Sequence, residues 1–417
     1  MKNSGVEWIG EIPEEWEVSK IGQLYEERRT KVSDTVYPPL SVTMQGILPQ
    51  LETAAKSDAH DDRKLVLKGD FAINSRSDRR GSCGISEFDG SVSLINTVLH
   101  PKTEMNPIYY NWLFHSFRFS DEYYKNGHGI VDDLWTTSWS EMKRIFIPLP
   151  PKSTQQRIAS YLDNKCSKIE ETIQNQQQVI EKLKAYKQSL ITEAVTGKIK
   201  IQNGKVCGKY ESYKDSGVEW IGKIPSEWEV GKFGRFAQVK SNLVDPNLYL
   251  EYPQIAPDNI GKGSGKLIDW QTVKDSGVIS WNHLFFKGQI VYSKIRPTLN
   301  KLIIAPFDGL CSADMYPIET NMYKQFFVYM MLSQYFVEQV GLITRDRVKM
   351  PKINQNELSG ILITVPTKEE QKEISDYLDK KCTAIDTAIE QKQKLIEKLT
   401  EYKKSLIYEC VTGKRIV

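Results

Sequence analysis

The feature that most constrains this chain is a tandem repeat. The phrase SGVEWIGEIPEEWEV at residues 4–18 returns as SGVEWIGKIPSEWEV at residues 216–230. A longer segment, residues 150–198, aligns without gaps to residues 366–414 at an offset of 216. The chain therefore repeats one order of segments: a short conserved phrase, a variable region and a long conserved segment. Two folded halves of related architecture are expected.

Each long conserved segment is predicted to form one helix. Between Thr154 and Val195, apolar or small residues recur mostly at spacings of three and four, and Gly197 or Gly413 then ends the helix. Such a helix would extend roughly 60 Å at about 1.5 Å per residue. Its apolar seam is narrow, as in a coiled coil. The predicted seam residues are Ile158, Leu162, Ile169, Ile173, Ile180, Leu183 and Leu190 in the first copy, and Ile374, Leu378, Ile385, Ile389, Ile396, Leu399 and Leu406 in the second.

A helix with one narrow apolar seam is not stable alone in water. The simplest solution buries the two seams against each other as an antiparallel coiled coil. That arrangement would place the two variable regions at opposite ends, related by an approximate twofold axis. Alternatively, each seam packs on its own domain as an ordinary core helix.

The two variable regions share a scaffold. KGDFAI at residues 68–73 corresponds to KGQIVY at 287–292, and FDG at 88–90 corresponds to FDG at 307–309, both at an offset of 219. Short apolar runs bounded by Gly, Asp and Pro predict strands. The predicted strands are residues 64–67, 70–73, 302–305 and 361–365, and the predicted helices are residues 108–117 and 323–340. Each half is therefore expected to mix α and β structure.

These segments predict five consecutive parts, because a chain of 417 residues is too long for one hydrophobic core. The parts are a first variable domain at 1–149, a spacer helix at 150–197, a linker at 198–215, a second variable domain at 216–365 and a second spacer helix at 366–417.

Composition narrows the class of protein. The chain has no run of eighteen apolar residues and no apolar stretch at its N-terminus, so a cytoplasmic location is expected. Its six cysteines form no CxxC pair and no zinc-like cluster with the five histidines, so no metal site is predicted. A net charge of +3 neither requires nor excludes nucleic acid.

Two segments come near catalytic motifs without meeting their requirements. Residues 106–109, Asn-Pro-Ile-Tyr, lack the second proline of the adenine methyltransferase motif Asn-Pro-Pro-Tyr, and no glycine-rich cofactor loop precedes them. Asn106 is expected instead to cap a helix that Pro107 opens. Residues 261–267, GKGSGKL, are one residue short of a phosphate loop and carry Leu267 where Ser or Thr would hold magnesium. No cofactor and no independent catalysis are expected.

The repeated opening phrase has two interpretations. Its tryptophans are Trp8 and Trp16 in the first copy, and Trp220 and Trp228 in the second. They either form a turn that packs onto the start of each domain, or present one surface twice to two copies of a partner. The two interpretations are compatible, since a motif can close a domain and still expose one ring.

The combined motifs resemble those of the specificity subunit of bacterial type I restriction-modification systems. The resemblance spans essentially the whole chain. It rests on the opening phrases, on IPLPPKSTQQRIASYLD at 147–163 and ITVPTKEEQKEISDYLD at 363–379, and on KLKAYKQSLITEAVTGK at 182–198 and KLTEYKKSLIYECVTGK at 398–414. It implies an α+β fold with two target-recognition domains separated by two long antiparallel helices. It also implies as partners double-stranded DNA, two methyltransferase subunits and, in the full complex, restriction subunits.

Polar loops in both variable regions are candidates for contacting DNA. Arg and Lys pair with guanine edges and Asn and Gln with adenine edges, while phosphates accept from any cation or hydroxyl. The cationic loop 74–82 and its counterpart 293–301 follow equivalent strands but differ in sequence, so an asymmetric bipartite target is expected. The candidates are Thr43, Gln45, Arg76, Arg79, Arg80, Ser82, Gln254, Asn259, Lys262, Lys266, Lys294, Arg296, Asn300, Lys301, Arg345 and Arg347. The simpler alternative is that these are solvated surface loops.

A rival function belongs to a different class. A non-catalytic scaffold would use the same helices and tryptophans to assemble partners, and its variable domains would bind protein or peptide. Salt-sensitive binding to random duplex DNA distinguishes the two functions, because only phosphate contacts release counterions. The sequence leaves open the target itself and whether the isolated chain self-associates.

Overall fold

The structure is a computed structural model that describes residues 1–50, 60–129, 135–219, 221–347 and 349–417. It divides into two compact units. The first unit comprises Met1–Gln177 and Gln393–Val417, and the second comprises Gln178–Lys392. Two helices of 44 residues each, Lys152–Val195 and Lys368–Val411, contribute one part to each unit.

The first unit is an antiparallel β domain with short helices on it. Its elements up to the first long helix are β1 (Lys2–Asn3), β2 (Glu11–Ile12), β3 (Glu17–Lys20), α1 (Ile21–Leu24), β4 (Tyr25–Glu27), β5 (Lys31–Val32), β6 (Leu40–Thr43), β7 (Gly46–Pro49), β8 (Arg63–Val66), β9 (Phe71–Asn74), β10 (Cys83–Ile85), β11 (Gly90–Val92), β12 (Asn96–Pro101), α2 (Pro107–His115), α3 (Phe117–Lys125), α4 (Trp139–Met142), β13 (Phe146–Leu149) and α5 (Lys152–Val195). The main sheets have the orders β10-β9-β12-β4 and β11-β8-β5.

The second unit repeats this plan. Its elements are β14 (Lys200–Gln202), β15 (Lys205–Gly208), β16 (Tyr213–Asp215), β17 (Lys223–Pro225), β18 (Glu229–Lys232), α6 (Phe233–Phe236), β19 (Ala237–Val239), β20 (Leu243–Val244), β21 (Pro253–Ile255), β22 (Gln271–Thr272), α7 (Val273–Ser276), β23 (Asn282–Phe285), β24 (Ile290–Ser293), β25 (Leu302–Ile304), β26 (Gly309–Cys311), β27 (Met315–Thr320), α8 (Lys324–Leu332), α9 (Gln334–Thr344), α10 (Gln355–Gly360), β28 (Leu362–Val365) and α11 (Lys368–Val411). The main sheets are β19-β27-β24-β25 and β20-β23-β26-β21-β22.

Pairing registers confirm that the variable regions share a scaffold. Asn74 on β9 pairs with Asn96 on β12, and Ser293 on β24 pairs with Met315 on β27, which preserves the offset of 219 in both strands. The predicted strands lie within one residue of β8, β9, β25 and β28. Mixed α and β structure in each half is confirmed.

The two long helices pack together in an antiparallel sense within each unit. In the first unit, Leu162 and Cys166 of α5 share a buried core with Leu406 and Cys410 of α11. In the second unit, the C-terminal part of α5 shares a core with the N-terminal part of α11. All predicted seam residues are buried or half-buried. The predicted coiled coil is therefore confirmed, and parts of each seam also pack on the adjacent β domain.

Ion pairs between the helices repeat with the sequence. Lys403 of α11 pairs with Glu170 of α5 in the first unit. The equivalent residues in the second unit are Lys187 and Asp386, whose Nζ and Oδ1 atoms lie 2.7 Å apart. Each pair joins the two helices at the edge of the apolar seam, so the contact fixes the same helix register in both units.

Three details differ from the sequence-based prediction. The predicted helices 108–117 and 323–340 each cross a break between two helices, because Ser116 adopts an extended ψ of 141° between α2 and α3, and Ser333 an extended ψ of 152° between α8 and α9. The segment predicted as a linker contains β14, β15 and β16. The first long helix begins at Lys152, which lies inside the predicted segment 150–197 and two residues before the start of the apolar pattern at Thr154.

Neither a membrane span nor a metal site stands out in the described residues. There, no single helix is long and apolar enough to cross a membrane; only α8 and α9 together would be, and they bend by 59°. Both helices are largely buried in the core of the second unit. The same parts of the chain hold no group of three or more His, Cys, Asp or Glu side chains arranged to bind a metal ion.

Candidate nucleic-acid interface

In the first unit, the cationic loop that follows β9 is joined to a distant segment that precedes α4. Arg76 forms an isolated antiparallel bridge with Thr136. The Ser77 N–H donates to the Trp135 carbonyl at 3.0 Å, and the Thr137 N–H donates to the Ser75 carbonyl at 3.0 Å. The two segments therefore form one composite surface.

The second unit builds the same composite surface from its own loop after β24. Ile295 forms an antiparallel bridge with Lys352, which precedes α10. The Arg296 N–H donates to the Pro351 carbonyl at 2.8 Å, and the Ile353 N–H donates to the Lys294 carbonyl at 3.0 Å. Arg76 and Ile295 are equivalent positions in the repeat, as are Thr136 and Lys352.

The side chains on the two composite surfaces differ. The first unit has a groove of about 580 Å³ beside its loop. The groove is lined by Ser77, Asp78, Arg80, Asp121, Tyr124, Lys125 and Trp135. The Arg80 guanidinium lies over the Tyr124 ring at 5.0 Å, and the Trp135 indole N–H donates to the Tyr124 carbonyl at 2.8 Å. Aromatic and cationic side chains therefore lie close together in the groove of the first unit.

On the composite surface of the second unit, several residues, including cationic ones, have a strained backbone. Arg296 has a φ of 43° and Asn300 a φ of 49°, and Lys349 and Met350 also have positive φ. Such values are uncommon for residues other than glycine, and they persist only where surrounding contacts hold them. The hydrogen bond from Arg296 to Pro351 is one such contact.

Several predicted DNA contacts are exposed as expected. Arg79 is 68% exposed and lies 3.7 Å from Asp78, and Arg345 is 72% exposed. Gln45, Lys262 and Arg296 are also exposed. Arg76 and Arg80 are more constrained, by Asp78 and by Tyr124 respectively. These residues remain candidates for contacting DNA.

Three predicted contact residues are buried, which corrects the sequence-based expectation. Ser82, Gln254 and Asn300 are at most 8% exposed. Asn300 donates from Nδ2 to the Met331 carbonyl at 2.8 Å, so it supports the loop from inside. Nothing in the local sequence distinguishes a buried amide that braces a turn from an exposed amide that contacts a base.

Other candidates are engaged within the protein. Lys266 pairs with Asp386 of α11 at 2.7 Å, and Lys301 donates to the Pro257 carbonyl at 2.8 Å. Arg347 pairs with Glu357, and hydrogen bonding from this guanidinium lowers the pKa of the Glu357 carboxyl.

Three further candidates are half-buried or tied into local structure. Asn259 donates from Nδ2 to Asp269 at 2.7 Å, and the Thr43 hydroxyl donates to the Gly46 carbonyl at 2.9 Å. Lys294 lies over the Tyr316 ring at 5.1 Å.

The tryptophans of the opening phrase close the domains. Trp8 is 7% exposed and donates from its indole N–H to the Phe146 carbonyl at 3.1 Å. Trp16 and Trp228 are buried, and Trp228 donates to Glu370 at 3.1 Å. These three rings do not form an exposed docking surface, which corrects that interpretation. Trp220 lies outside the described residues.

Sequence reasoning did not show that the second segment of each composite surface pairs with the loop. Trp135 lines the groove in the first unit. In the second unit Lys349 and Lys352 are exposed on the second segment, and Lys352 pairs with Asp314 at 2.8 Å. Arg345 and Arg347 are the predicted candidates in this second segment, but the pairing of the segment with the loop after β24 depends on long-range contacts. The composite nature of each surface could not be read from local sequence.

Sequence comparisons agree with this architecture. The protein-family model described as "Type I restriction modification DNA specificity domain" matches residues 13–185 and 225–400 of this chain. The chain is 28% identical to the type I restriction enzyme EcoDI specificity subunit of Escherichia coli, over 97% of this chain and 89% of that protein. It is 26% identical to the MjaVIII specificity subunit of Methanocaldococcus jannaschii, over 97% of this chain and 93% of that protein.

Solved structures share the fold at low sequence identity. One matching chain comes from a structure that describes complex assembly and conformational transition of the type I R-M system. It matches with a TM-score of 0.71 and 13% identity, over 97% of this chain and 100% of that chain. The HsdS subunit from Thermoanaerobacter tengcongensis matches with a TM-score of 0.52 and 14% identity, over 97% and 98% of the two chains. With two matched repeats that cover most of its length, the chain belongs to the family of DNA specificity subunits of type I restriction-modification systems.

Proposed function

We propose that this specificity subunit reads an asymmetric bipartite DNA target, with one half-site on the composite surface of each unit. The observation that carries the proposal is the repeated bridge between two segments, Arg76 with Thr136 and Ile295 with Lys352. One scaffold presents different side chains at the same place in each unit. Two readers of two different half-sites require this combination of common position and different chemistry.

The electrostatics of both surfaces suit a polyanion. Arg79 and Arg80 in the first unit and Arg296 in the second have exposed side chains on the bridged loops, and Arg345 is exposed at the end of α9. Lys352, on the bridged segment, is also exposed and pairs with Asp314 at 2.8 Å. Guanidinium groups bind phosphate oxygens or the O6 and N7 edge of guanine. A protein or peptide ligand of the rival scaffold function would not require cations in both units.

Binding to duplexes at increasing salt tests this function. A duplex selected by the protein and a scrambled duplex should both bind more weakly as salt rises, because phosphate contacts release counterions, and the selected duplex should bind more tightly throughout. Mapping methylated adenines in host DNA with and without the gene would identify both half-sites. Salt-independent binding, or equal affinity for all duplexes, would contradict the proposal and favour the scaffold.

We infer that the chain itself performs neither methyl transfer nor DNA cleavage. Asn106, in the segment closest to a methyltransferase motif, accepts the Tyr109 N–H at 3.1 Å and donates to Gln156 at 2.6 Å. Both of its polar atoms are therefore used to cap α2 and hold it to α5. Labelled S-adenosylmethionine should not bind the isolated chain. Since we propose that the chain binds host DNA, we place the protein in the cytoplasm.

We also propose that the chain binds two methyltransferase subunits, and restriction subunits in the full complex. Support for a duplicated docking site comes from one stripe on each long helix, exposed except for a half-buried glutamate at its C-terminal end. On α5 it comprises Lys182, Tyr186, Ser189 and Glu193, and on α11 it comprises Lys398, Tyr402, Ser405 and Glu409. Spacings of four, three and four residues place each set on one helix face.

The two stripes are identical in sequence, although some neighbouring positions differ. Lys184 corresponds to Thr400, and Ala185 corresponds to Glu401. Tyr186 is 54% exposed and Tyr402 is 47% exposed, so packing within the chain does not explain their identity. One partner surface that binds twice does explain it.

Alanine substitution of the stripe tyrosines tests the docking site. Native mass spectrometry of the assembled complex should show two methyltransferase subunits for the unchanged chain, one for Tyr186→Ala or Tyr402→Ala, and none for the double variant. Lys184→Ala, a neighbouring exposed position, should retain both. If the double variant still holds two methyltransferase subunits, docking lies elsewhere.

A further inference from the structure

Lys266 connects a loop of the second unit to the spacer helix α11. Its Nζ lies 2.7 Å from Asp386 Oδ2, while Lys187 of α5 lies 2.7 Å from Asp386 Oδ1. The carboxylate thus holds one cation from the partner helix and one from the β domain. Asp386 is only 25% exposed, so solvent screens it less than a surface carboxylate.

The electrostatic balance keeps Asp386 ionised at neutral pH. Burial alone would raise the pKa of this carboxyl. Hydrogen bonds and charge attraction from Lys187 and Lys266 outweigh burial, so the pKa lies below its ordinary value. The carboxylate is therefore a permanent anchor for both lysines under physiological conditions.

The loop that carries Lys266 is hydrogen-bonded directly to the loop after β24, residues 293–301, which we call the second reading loop; its counterpart at 74–82 is the first reading loop. The Gly261 N–H donates to the Lys266 carbonyl at 3.0 Å, which closes the loop on itself. The Gly263 N–H then donates to the carbonyls of Leu299 and Asn300, at 3.2 and 3.1 Å. A chain of contacts therefore runs from the spacer helix through residues 261–266 to the loop after β24.

The reading loop depends on this support because its backbone is strained. Asn300 has a φ of 49° and is held from the other side by its hydrogen bond to Met331. The loop around Lys266 also packs closely against Leu332 of α8, since a Cβ added at Gly265 would lie 3.2 Å from Leu332 Cδ1. Both ends of the connection are thus packed against fixed structure.

The first unit has a simpler contact at the equivalent helix position. Glu170 corresponds to Asp386 and pairs with Lys403 of α11. Within the described parts of the first unit, no lysine from the β domain forms an ion pair with Glu170. Among the described residues, the connection from spacer helix to reading loop is therefore found in the second unit.

We propose that Lys266 is a positioning residue that sets the orientation of the second reading loop on α11, and so determines discrimination at the second half-site without contacting DNA. The inference rests on the proposed function, because it assumes that residues 293–301 face DNA. Loss of the ion pair would let the loop reorient, while the first half-site would be read as before.

Lys266→Met tests the inference, since it removes the charge and keeps most of the side-chain length. Affinities are measured against the selected duplex and against duplexes with single changes in each half-site. We expect discrimination at the second half-site to fall about threefold to tenfold and discrimination at the first to stay unchanged. Lys274→Met, at an exposed lysine of α7 that is not among the predicted DNA contacts, is the matched control and should leave the second-site pattern intact.

Asp386→Asn supplies the second variant. It should reproduce the pattern of Lys266→Met, and the double variant should lose no more discrimination than either single one, because both act through one contact. Thermal unfolding of each variant shows that the fold persists. A merely structural role would lower the unfolding temperature and leave the half-site pattern unchanged.

The possible failures are distinguishable. A uniform loss of affinity on all duplexes, with a shallower salt dependence for Lys266→Met, would show that Lys266 contacts phosphate and would overturn the positioning role. An unchanged second-site pattern in both variants would also overturn it. If the unaltered subunit fails to discriminate between duplexes, the proposed function itself fails.

Discussion

Arg79 is the side chain that the first reading loop exposes most fully. It is 68% exposed, compared with 39% for Arg76 and 58% for Arg80. If its guanidinium pairs with a guanine edge, Arg79→Ala should lose about 1 to 3 kcal/mol of discrimination at one base pair. Binding titrations with duplexes that vary one position at a time would measure this loss.

The matched control for Arg79 is Arg235, which is also 68% exposed but lies outside both reading loops. Arg235→Ala should leave every single-base preference unchanged. Equal weakening of Arg79→Ala on all sequences would instead identify a phosphate contact.

A pH dependence follows from Asp386. Its pKa in the folded chain is lower than the ordinary value of 3.8, mainly because the two lysines outweigh the effect of burial. A lowered folded pKa stabilises the fold above the ordinary pKa, and this stabilisation is lost as pH falls through the folded pKa. Urea unfolding should therefore show Asp386→Asn less stable than the unchanged chain at pH 7, with the difference shrinking below about pH 3.8. A difference that grows towards acid pH would contradict this account.

Among the elements, those that depend on local pattern were predictable from sequence. The helices α5 and α11 followed from their apolar spacing and terminal glycines, and the equivalence of the two halves followed from the repeat. The break between α8 and α9 did not, because the apolar pattern continues through Ser333. That serine donates to the Met330 carbonyl at 2.6 Å and turns the chain, as Ser116 does with Leu113 in the first unit.

The reading loops show the limit of the same reasoning. Their position after β9 and β24 was predictable, because strand and turn signals are local. Their second segments were not, because the pairing of Ile295 with Lys352 is set by the fold of the whole unit. Burial of Asn300 and engagement of Lys266 with α11 likewise depend on contacts distant in sequence.

The ends of the long helices make a testable close contact with the opening phrases. Gly413 has a φ of +74°, and a Cβ added there would lie 2.3 Å from Pro13 Cδ. Gly413→Ala therefore combines backbone strain with overpacking, which together should cost about 2 to 5 kcal/mol. Urea unfolding followed by tryptophan fluorescence would detect the loss, since Trp16 lies beside Gly413.

Gly204 separates the two contributions to that cost. It has a φ of +71° but no atom within 4 Å of an added Cβ, so Gly204→Ala tests backbone strain alone. We expect a cost of about 1 to 2 kcal/mol. Gly197→Ala, next to Pro225, should behave like Gly413→Ala, and equal costs at all three positions would show that the contact with proline is unimportant.

For the whole molecule, duplication accounts for both constant and variable features. Seam residues and inter-helix ion pairs recur because the same helix pairing is needed in both units, and the proposed function explains the repeated stripes by a partner that binds twice. Reading loops diverge because two half-sites differ. In the second unit the loop after β24 is held through Lys266, so exchange of that variable region between subunits would transfer its support only together with residues 257–267.

The length of the spacer helices gives the last prediction. Removing residues 173–179 and the equivalent 389–395 deletes seven residues from each helix, so Ile180 takes the place of Ile173 and the seam keeps its phase. Each helix shortens by about 10 Å, close to three base pairs at about 3.4 Å each. If the paired helices set the gap, methylation mapping should show unchanged half-sites separated by about three fewer base pairs. Deleting seven residues from one helix alone mismatches the seam and should abolish binding. Altered half-sites with an unchanged gap would show that the gap is set elsewhere.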